Sequence, residues 1–270
     1  MGDLYANILK CVVFVGFHHK TWDEIVTVGT AFILGFGRPD QNGKIPMGCL
    51  VTARHVLSGI KNRGASEIYL RFNLESGGSC WRKTLVEDWT LPDDSSVDVA
   101  CYHAKLPAGI DHLALTVPKI GEEKLPPYPA EITDEVVVAC LFSPYRNEKR
   151  LTPLLRTATI ISLAKNGEAV STPVGDFPAH LLEMKSIAGM SGAPVLMKAG
   201  LKQLVSGVAK SGDPAHYLLG LVSGHFVERG LSISPENDAE KEVKVDINAG
   251  VAFVTPSNVV SKFAQTSKPS

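Results

Sequence analysis

The sequence lacks the features that would place it in a membrane, outside the cell or on nucleic acid. Its 270 residues contain no apolar run long enough to cross a bilayer. The formal net charge is −1, so no overall field attracts nucleic acid or an anionic membrane, and we expect neither as a partner. The N-terminal apolar patch follows Asp3 and is interrupted by Lys10, which favours a strand over a secretory signal.

The cysteine pattern excludes a disulfide framework and a zinc site. There are five cysteines, an odd number, and no Cys-x-x-Cys spacing occurs. Widely spaced cysteines in apolar segments are typical of buried free thiols in a reducing compartment. The sequence therefore predicts a cytoplasmic protein with no metal and no organic cofactor. The cysteines are Cys11, Cys49, Cys80, Cys101 and Cys140.

Long helical periodicity is nearly absent as well, and short strand-like segments take its place. Apolar runs rich in Val, Ile, Thr and Phe, among them 25–36 and 204–209, alternate with Gly, Pro, Asn and Asp, which predicts strands there and an all-β protein of sandwich or barrel type. A proline-rich stretch at 106–129 divides the strands, so we expect an N-terminal β unit at 1–115 and a C-terminal one at 116–270. A helix is predicted after His55 and another at about 256–265, whereas the charged segment 228–248 is interpreted as a solvated loop.

Three short segments carry residues suited to nucleophilic catalysis. His55 follows the strand-like run GCLVTAR, Asp98 opens the run VACYH, and Ser191 lies between Met190 and Gly192 in AGMSGAPV. Asp98 is chosen over its acidic neighbours because only Asp98 is followed directly by an alternating apolar run. The alternative for each residue is structural: a capping histidine, a solvated acid and a tight glycine turn.

The three residue types supply complementary chemistry. A serine hydroxyl becomes nucleophilic when an imidazole takes its proton, and a buried carboxylate fixes the tautomer of that imidazole. Backbone amides beside the nucleophile can bind the developing oxyanion, and we assign this role to Gly189 and Ser191. The sequence thus predicts a catalytic triad of His55, Asp98 and Ser191.

These segments resemble the chymotrypsin-like (trypsin-fold) serine proteases, with TARH and GMSGAP matching the motifs around the histidine and the serine. The order His, Asp, Ser is that of this family. The closing segment GVAFVTPSNVV is similar to the end of HtrA-like bacterial protease domains. The resemblance implies two antiparallel β-barrels with a C-terminal helix, peptide-bond hydrolysis and a peptide or protein substrate. We expect no PDZ domain to follow.

The resemblance also implies a substrate-binding edge and a specificity position. By analogy, Ser223 supports Asp98, and Ser223, Gly224 and His225 form the edge along which a peptide lies. Lys185, six residues before the nucleophile, falls at the base of the pocket for the substrate side chain. There it would favour an acidic substrate, because a buried ammonium needs a counter-charge. The alternative is that Lys185 turns outward, pairs with Glu183 or another surface acid, and leaves an apolar pocket for aliphatic side chains of medium size.

Several departures from the family leave other functions and forms of control open. Met190 stands where secreted members carry an aspartate that pairs with a new N-terminus, so activation by N-terminal cleavage is not implied. A catalytically silent module that binds peptides or partners is one alternative function, and an esterase-only acyl hydrolase is another. We expect control by a regulatory protein partner, a narrow substrate range or an activation loop, with 228–248 as the candidate segment.

Overall fold

The computed structural model describes nine segments of the chain longer than one residue, and Leu106 between two of them. These segments are 4–36, 47–103, 108–117, 130–142, 149–164, 168–172, 175–198 and the pair 218–234 and 241–267, with side chains left out at 4–6, 47, 229–234 and 241–246. The strand predicted at 204–209 lies outside them. Three α-helices occur within the described ranges: α1 (Leu4–Leu9), α2 (Arg54–Asn62) and α3 (Ser257–Thr266).

Seven strands form the N-terminal sheet, which is a half-barrel. They are β1 (Val12–His19), β2 (Glu24–Phe36), β3 (Met47–Thr52), β4 (Glu67–Asn73), β5 (Ser79–Leu85), β6 (Ala100–Tyr102) and β7 (Leu115–Val117). The sheet order is β5-β4-β1-β2-β3-β6, and β7 pairs in parallel with β2. Strand β4 shows why the sheet forms: Ile68, Leu70 and Phe72 are buried, and the intervening residues are only partly buried.

The second sheet closes into a barrel of six strands. Its members are β8 (Glu135–Cys140), β9 (Leu154–Ser162), β12 (His180–Glu183), β13 (Pro194–Met197), β14 (Leu218–Ser234) and β15 (Lys241–Pro256). The barrel order is β12-β15-β14-β13-β8-β9, and every pairing is antiparallel. A small separate sheet joins β10 (Val170–Thr172) and β11 (Gly175–Phe177). The all-β, two-barrel class predicted from the sequence is therefore confirmed.

Strands β14 and β15 form a long hairpin that extends beyond the barrel. They pair from Gly220 opposite Pro256 as far as Ser234 opposite Lys241. Strand β13 pairs with β14 only up to Leu221, and β12 pairs with β15 only from Val251. The prediction of a solvated loop at 228–248 is wrong over its paired residues, because backbone hydrogen bonds join them into a hairpin whose charged residues alternate with apolar ones, as at Val243, Val245 and Ile247.

Helix α2 begins at Arg54, directly after β3, and packs on the N-terminal core. Val56, Leu57 and Ile60 are its buried residues, and they share one face of the helix. The C-terminal helix α3 spans Ser257–Thr266, one residue later than predicted, and buries Val260 and Ala264. None of the helices within the described part of the chain is long and apolar enough to cross a membrane.

Candidate active site

His55 and Asp98 are joined by two hydrogen bonds. His55 lies in the first turn of α2, and Asp98 lies two residues before β6. The His55 Nδ1 to Asp98 Oδ2 distance is 2.8 Å, and the backbone N–H of His55 donates to Asp98 Oδ1 at 2.9 Å. Because a carboxylate only accepts hydrogen bonds, the neutral imidazole carries its hydrogen on Nδ1 and leaves Nε2 as a base.

The carboxylate of the pair is buried and the imidazole is partly accessible, as is expected of a base that a buried partner orients. Asp98 is buried, with 4% of its surface exposed, whereas His55 keeps 32% of its side chain accessible. Arg54, beside His55, donates to the carbonyl oxygens of Pro92 and Asp94 at 2.8 and 3.2 Å. These bonds tie the first turn of α2 to the loop that leads to Asp98. Sequence analysis did not identify this role of Arg54.

Ser191 lies in the turn between β12 and β13, and this turn is held against the N-terminal sheet. The backbone N–H of Thr30 donates to Ser191 O at 2.9 Å, and Gly192 N–H donates to Val222 O at 2.8 Å. Gly192 has φ +85°, and a Cβ built on it would lie 2.0 Å from Thr30 O and 3.1 Å from Ala53 N. The turn therefore touches the chain two residues before His55.

The amides of the turn divide into two groups. Met190 N–H donates to Ile187 O and Ala193 N–H donates to Met190 O, at 3.2 and 2.9 Å. Within the described residues, no acceptor is bonded to the amides of Gly189 or Ser191. Gly189 has φ +94°, a conformation that L side chains rarely adopt. Both donors assigned to the oxyanion are thus among the amides that the turn leaves unused.

The contact between nucleophile and base stays a prediction. No hydrogen bond to Ser191 Oγ is present among the described residues. The structure brings His55 to Asp98 and brings the Ser191 turn to the segment before His55. Hydrogen bonds between catalytic groups are often longer in free enzymes and shorten when substrate binds.

The predicted support of Asp98 by Ser223 is wrong. Ser223 Oγ shares a hydrogen bond of 2.7 Å with Thr255 Oγ1, and both residues are buried. The backbone partner of Thr255 is Leu221, two residues before Ser223 on β14, so the two hydroxyls are diagonal neighbours across the hairpin.

The edge of β14 near this point is open. Beyond Leu221, β14 pairs only with β15 among the described strands, so its other edge is unpaired at Gly224 and His225. Unpaired backbone groups on a strand edge can accept an extended peptide as an added strand. His225 is half-buried, and this burial lowers its pKa from the usual range.

Lys185 is exposed rather than enclosed at the base of a pocket. Its carbonyl oxygen accepts a hydrogen bond of 2.6 Å from Arg156 Nη1. It borders an open cleft of about 610 Å³ that is also lined by Glu183 and Gly250, and no ion pair joins Lys185 to Glu183 in the described part. This placement corresponds to the outward-facing alternative.

Side chains from distant strands hold the segment before Ser191. Arg156 Nη1 contacts Met190 Sδ at 3.5 Å, and the N–H of Ile187 donates to the same sulfur at 3.3 Å. Asn248 Nδ2 donates to Ser186 O at 2.9 Å. Met190 is fully buried. Among the described residues, no group of three or more potential metal ligands occurs. Sequence analysis missed Arg156 and Asn248, and no local pattern marks either residue.

Comparison with known proteins gives only distant structural likenesses. No protein-family model matches the chain, and no curated protein matches it. Among the solved structures that are similar, two have 16% sequence identity and a TM-score of 0.49 each. One is the apo MamO protease domain of Magnetospirillum magneticum, with 94% of this chain and 96% of that chain covered. The other is the active form of the Rv3671c protease of M. tuberculosis, with 99% and 86% covered.

These likenesses are too distant to support an inference about the chemistry of this chain. The two-barrel description rests on the strand pairings. The candidate active site rests on the contacts of His55, Asp98 and the turn that carries Ser191.

Proposed function

We propose that the chain is a serine endopeptidase that cleaves peptide bonds through an acyl-enzyme. The observation that carries the proposal is the doubly bonded His55–Asp98 pair beside a turn whose Gly189 and Ser191 amides have no acceptor. A buried carboxylate that orients an imidazole and two amide donors without another acceptor are the groups that acyl transfer requires.

In the proposed reaction, Ser191 Oγ attacks the substrate carbonyl carbon while its proton passes to His55 Nε2. The amides of Gly189 and Ser191 bind the resulting oxyanion. The C–N bond then breaks, and His55 returns the proton to the leaving amine. Water, activated by the same imidazole, attacks the ester, releases the new carboxylic acid and restores the serine hydroxyl. Asp98 stays ionised and stabilises the imidazolium at each stage.

The test is hydrolysis of a peptide library by the wild-type protein and by Ser191→Ala. We expect cleavage by the wild type and a loss of about a million-fold in kcat in the variant, the order of magnitude for removal of a triad serine. Ser261→Ala, on α3, removes a serine that has no part in the site and should keep wild-type activity. Equal activity of Ser191→Ala and the wild type would contradict the proposal. Ester hydrolysis without peptide hydrolysis would support the esterase alternative.

A catalytically silent peptide-binding module is the second candidate. Two observations favour it: Ser191 Oγ has no hydrogen-bond partner in the described structure, and the edge of β14 is open at Gly224 and His225. Such a module would bind extended peptides but would not cleave them. Peptide binding measured by calorimetry, with no product after prolonged incubation, would distinguish it from the enzyme.

For the substrate side chain before the cleaved bond, the exposure of Lys185 supports an aliphatic preference over an acidic one. We expect a leucine peptide to be cut faster than matched glutamate and lysine peptides, and Lys185→Ala to leave that order unchanged. Faster cleavage of the glutamate peptide, with loss of this preference in Lys185→Ala, would favour the acidic alternative. None of the five cysteines, all of which lie in the described residues, forms a disulfide, which supports a reducing cytoplasmic setting as part of the proposal.

A further inference from the structure

The hydroxyl of Thr30 lies between the N-terminal sheet and the turn that carries Ser191. Thr30 is a residue of β2 and is fully buried. Its Oγ1 donates to Gly189 O at 2.6 Å and accepts a hydrogen bond of 3.0 Å from the backbone N–H of Leu141. A hydroxyl has one hydrogen to donate, and here that hydrogen is used on Gly189. Thr30, Gly189 and Leu141 come from three separate parts of the chain, and each of them contacts the other two.

Leu141 completes this set through its side chain. A Cβ built on Gly189 would lie 2.9 Å from Leu141 Cγ and Cδ2, so the glycine packs directly against that side chain. The same leucine donates its N–H to Thr30. The position of Leu141 and the orientation of the Gly189 carbonyl are therefore both set by one hydroxyl.

The main chain of Thr30 contacts the same site. Its N–H donates to Ser191 O at 2.9 Å, and its carbonyl accepts a hydrogen bond of 2.6 Å from Thr52 Oγ1, three residues before His55. Thr30 thus contacts both residues of the amide pair through their carbonyl oxygens. It also connects them to the strand that precedes the histidine.

Gly189 needs a contact from another residue to keep its backbone in one conformation. Gly189 lacks a Cβ, so its backbone dihedrals have several accessible values and its amide can point in more than one direction. An oxyanion site works because its donors are already aimed when charge develops. A hydrogen bond to the Gly189 carbonyl restricts rotation of the backbone at this residue.

We propose that Thr30 is a positioning residue whose hydroxyl keeps the amides of Gly189 and Ser191 directed at the oxyanion. The inference rests on the proposed function of Ser191. It adds a second role for the N-terminal sheet: the sheet holds the histidine, and through Thr30 it also positions the two amides of the oxyanion site. Thr30 itself touches no substrate.

The test compares Thr30→Val with Thr30→Ser. Valine keeps the branched shape but removes the hydroxyl, whereas serine keeps the hydroxyl. We expect kcat for peptide hydrolysis to fall at least 10-fold in Thr30→Val, with KM changed less than threefold, because one oxyanion donor is worth about 100- to 1,000-fold. Thr30→Ser should stay within about threefold of wild type. The pH dependence of kcat should not move, because Thr30 does not contact His55 or Asp98.

A matched control separates this effect from a loss of stability. Thr84 is also a buried threonine, and its hydroxyl accepts a hydrogen bond of 3.1 Å from Trp89 Nε1. Thr84→Val removes a buried hydrogen bond away from Ser191 and should lower stability while keeping kcat. If Thr30→Val does not fold, Thr30→Ala removes the same hydroxyl without adding a methyl group and must show the same loss of kcat.

Three results would overturn the inference. They are wild-type kcat in a folded Thr30→Val, an equal loss of kcat in Thr84→Val, or a failure of Thr30→Ser to restore the rate. Absence of any acylation of Ser191 in the wild-type protein would instead refute the proposed function, and the inference would fall with it. The two failures are therefore distinguishable.

Discussion

Replacing Gly192 with alanine tests how closely the Ser191 turn fits against the N-terminal sheet. The added methyl carbon would lie 2.0 Å from Thr30 O and 2.3 Å from Thr52 Oγ1. Thr30 O cannot retreat freely, because it accepts the hydrogen bond from Thr52 Oγ1. To reach ordinary van der Waals contact, the turn and the sheet would have to separate by more than 1 Å.

The expected cost has two parts. Alanine at φ +85° costs about 1–2 kcal/mol, the usual penalty for a left-handed backbone conformation. Overpacking against backbone adds about 1–3 kcal/mol. We therefore expect the free energy of unfolding to fall by about 2–5 kcal/mol. Activity should fall about 100-fold, since a displacement of about 1 Å at a catalytic group has that effect.

Gly64→Ala is the matched control for this experiment. Gly64 has φ +73° and nothing within 4 Å of the built Cβ, so its alanine variant carries only the conformational cost. Urea unfolding measures how far the free energy of unfolding falls in each variant. The fall in Gly192→Ala minus the fall in Gly64→Ala is the cost of the close contacts at Gly192. The reasoning is refuted if Gly192→Ala is no less stable than Gly64→Ala and if its Ser191 reacts with a fluorophosphonate probe as fast as Ser191 of the wild type.

Three further predictions follow from side chains around the barrel. His180 accepts a hydrogen bond from Ala164 N–H, and its burial lowers its pKa from 6.5 to about 4. The unfolded chain then binds more protons between these values, so stability falls as the pH falls, by about 2 kcal/mol from pH 7 to 5. Urea unfolding at pH 7 and at pH 5 should show a smaller loss of stability between the two pH values in His180→Asn than in the wild type. An equal loss in both proteins would exclude His180 as the cause. Arg156→Gln should lower kcat several-fold by releasing Met190, and Arg156→Lys should restore part of it; unchanged kcat in Arg156→Gln would refute this role. Asn248→Ala and deletion of residues 230–245 should each change the cleavage rate. Control through the hairpin is refuted if neither change alters the rate or the specificity.

The elements predicted correctly are those that local pattern determines. Strand β2 was expected at 25–36 and spans Glu24–Phe36, because its run of Val, Ile, Phe and Leu is buried almost throughout its second half. Helix α3 was expected within one residue of its observed bounds, because its apolar residues recur at helical spacing. Such signals lie within a dozen residues of each other and need no tertiary information.

Of the elements that were missed, β5 depends on pairing with distant residues. Strand β5 contains the polar run Trp81-Arg-Lys and is partly exposed, so it carries no apolar alternation. It becomes a strand because β4 provides backbone hydrogen bonds, and that information is not local. The outer part of the β14–β15 hairpin was missed for another reason: Val243, Val245 and Ile247 alternate, but the charged residues of the segment were given more weight than this alternation.

The candidate site divides in the same way. His55 and Asp98 were identified because each lies at the end or start of an apolar strand-like run. The hydroxyl of Thr30 and the carbonyl of Gly189 are 159 residues apart in the chain, and nothing in either local sequence indicates their hydrogen bond. Ser223 was assigned by analogy, and its hydroxyl instead shares a hydrogen bond with Thr255 on the neighbouring strand β15.

Reaction with a fluorophosphonate probe tests the central claim most directly. The probe acylates a serine only when a base activates it and an oxyanion site binds the developing charge. We predict that intact-mass analysis of the wild-type protein will show one adduct, that peptide mapping will place it on Ser191, and that Ser191→Ala will show none. An unlabelled wild-type protein, or an adduct that persists in Ser191→Ala, would contradict the account.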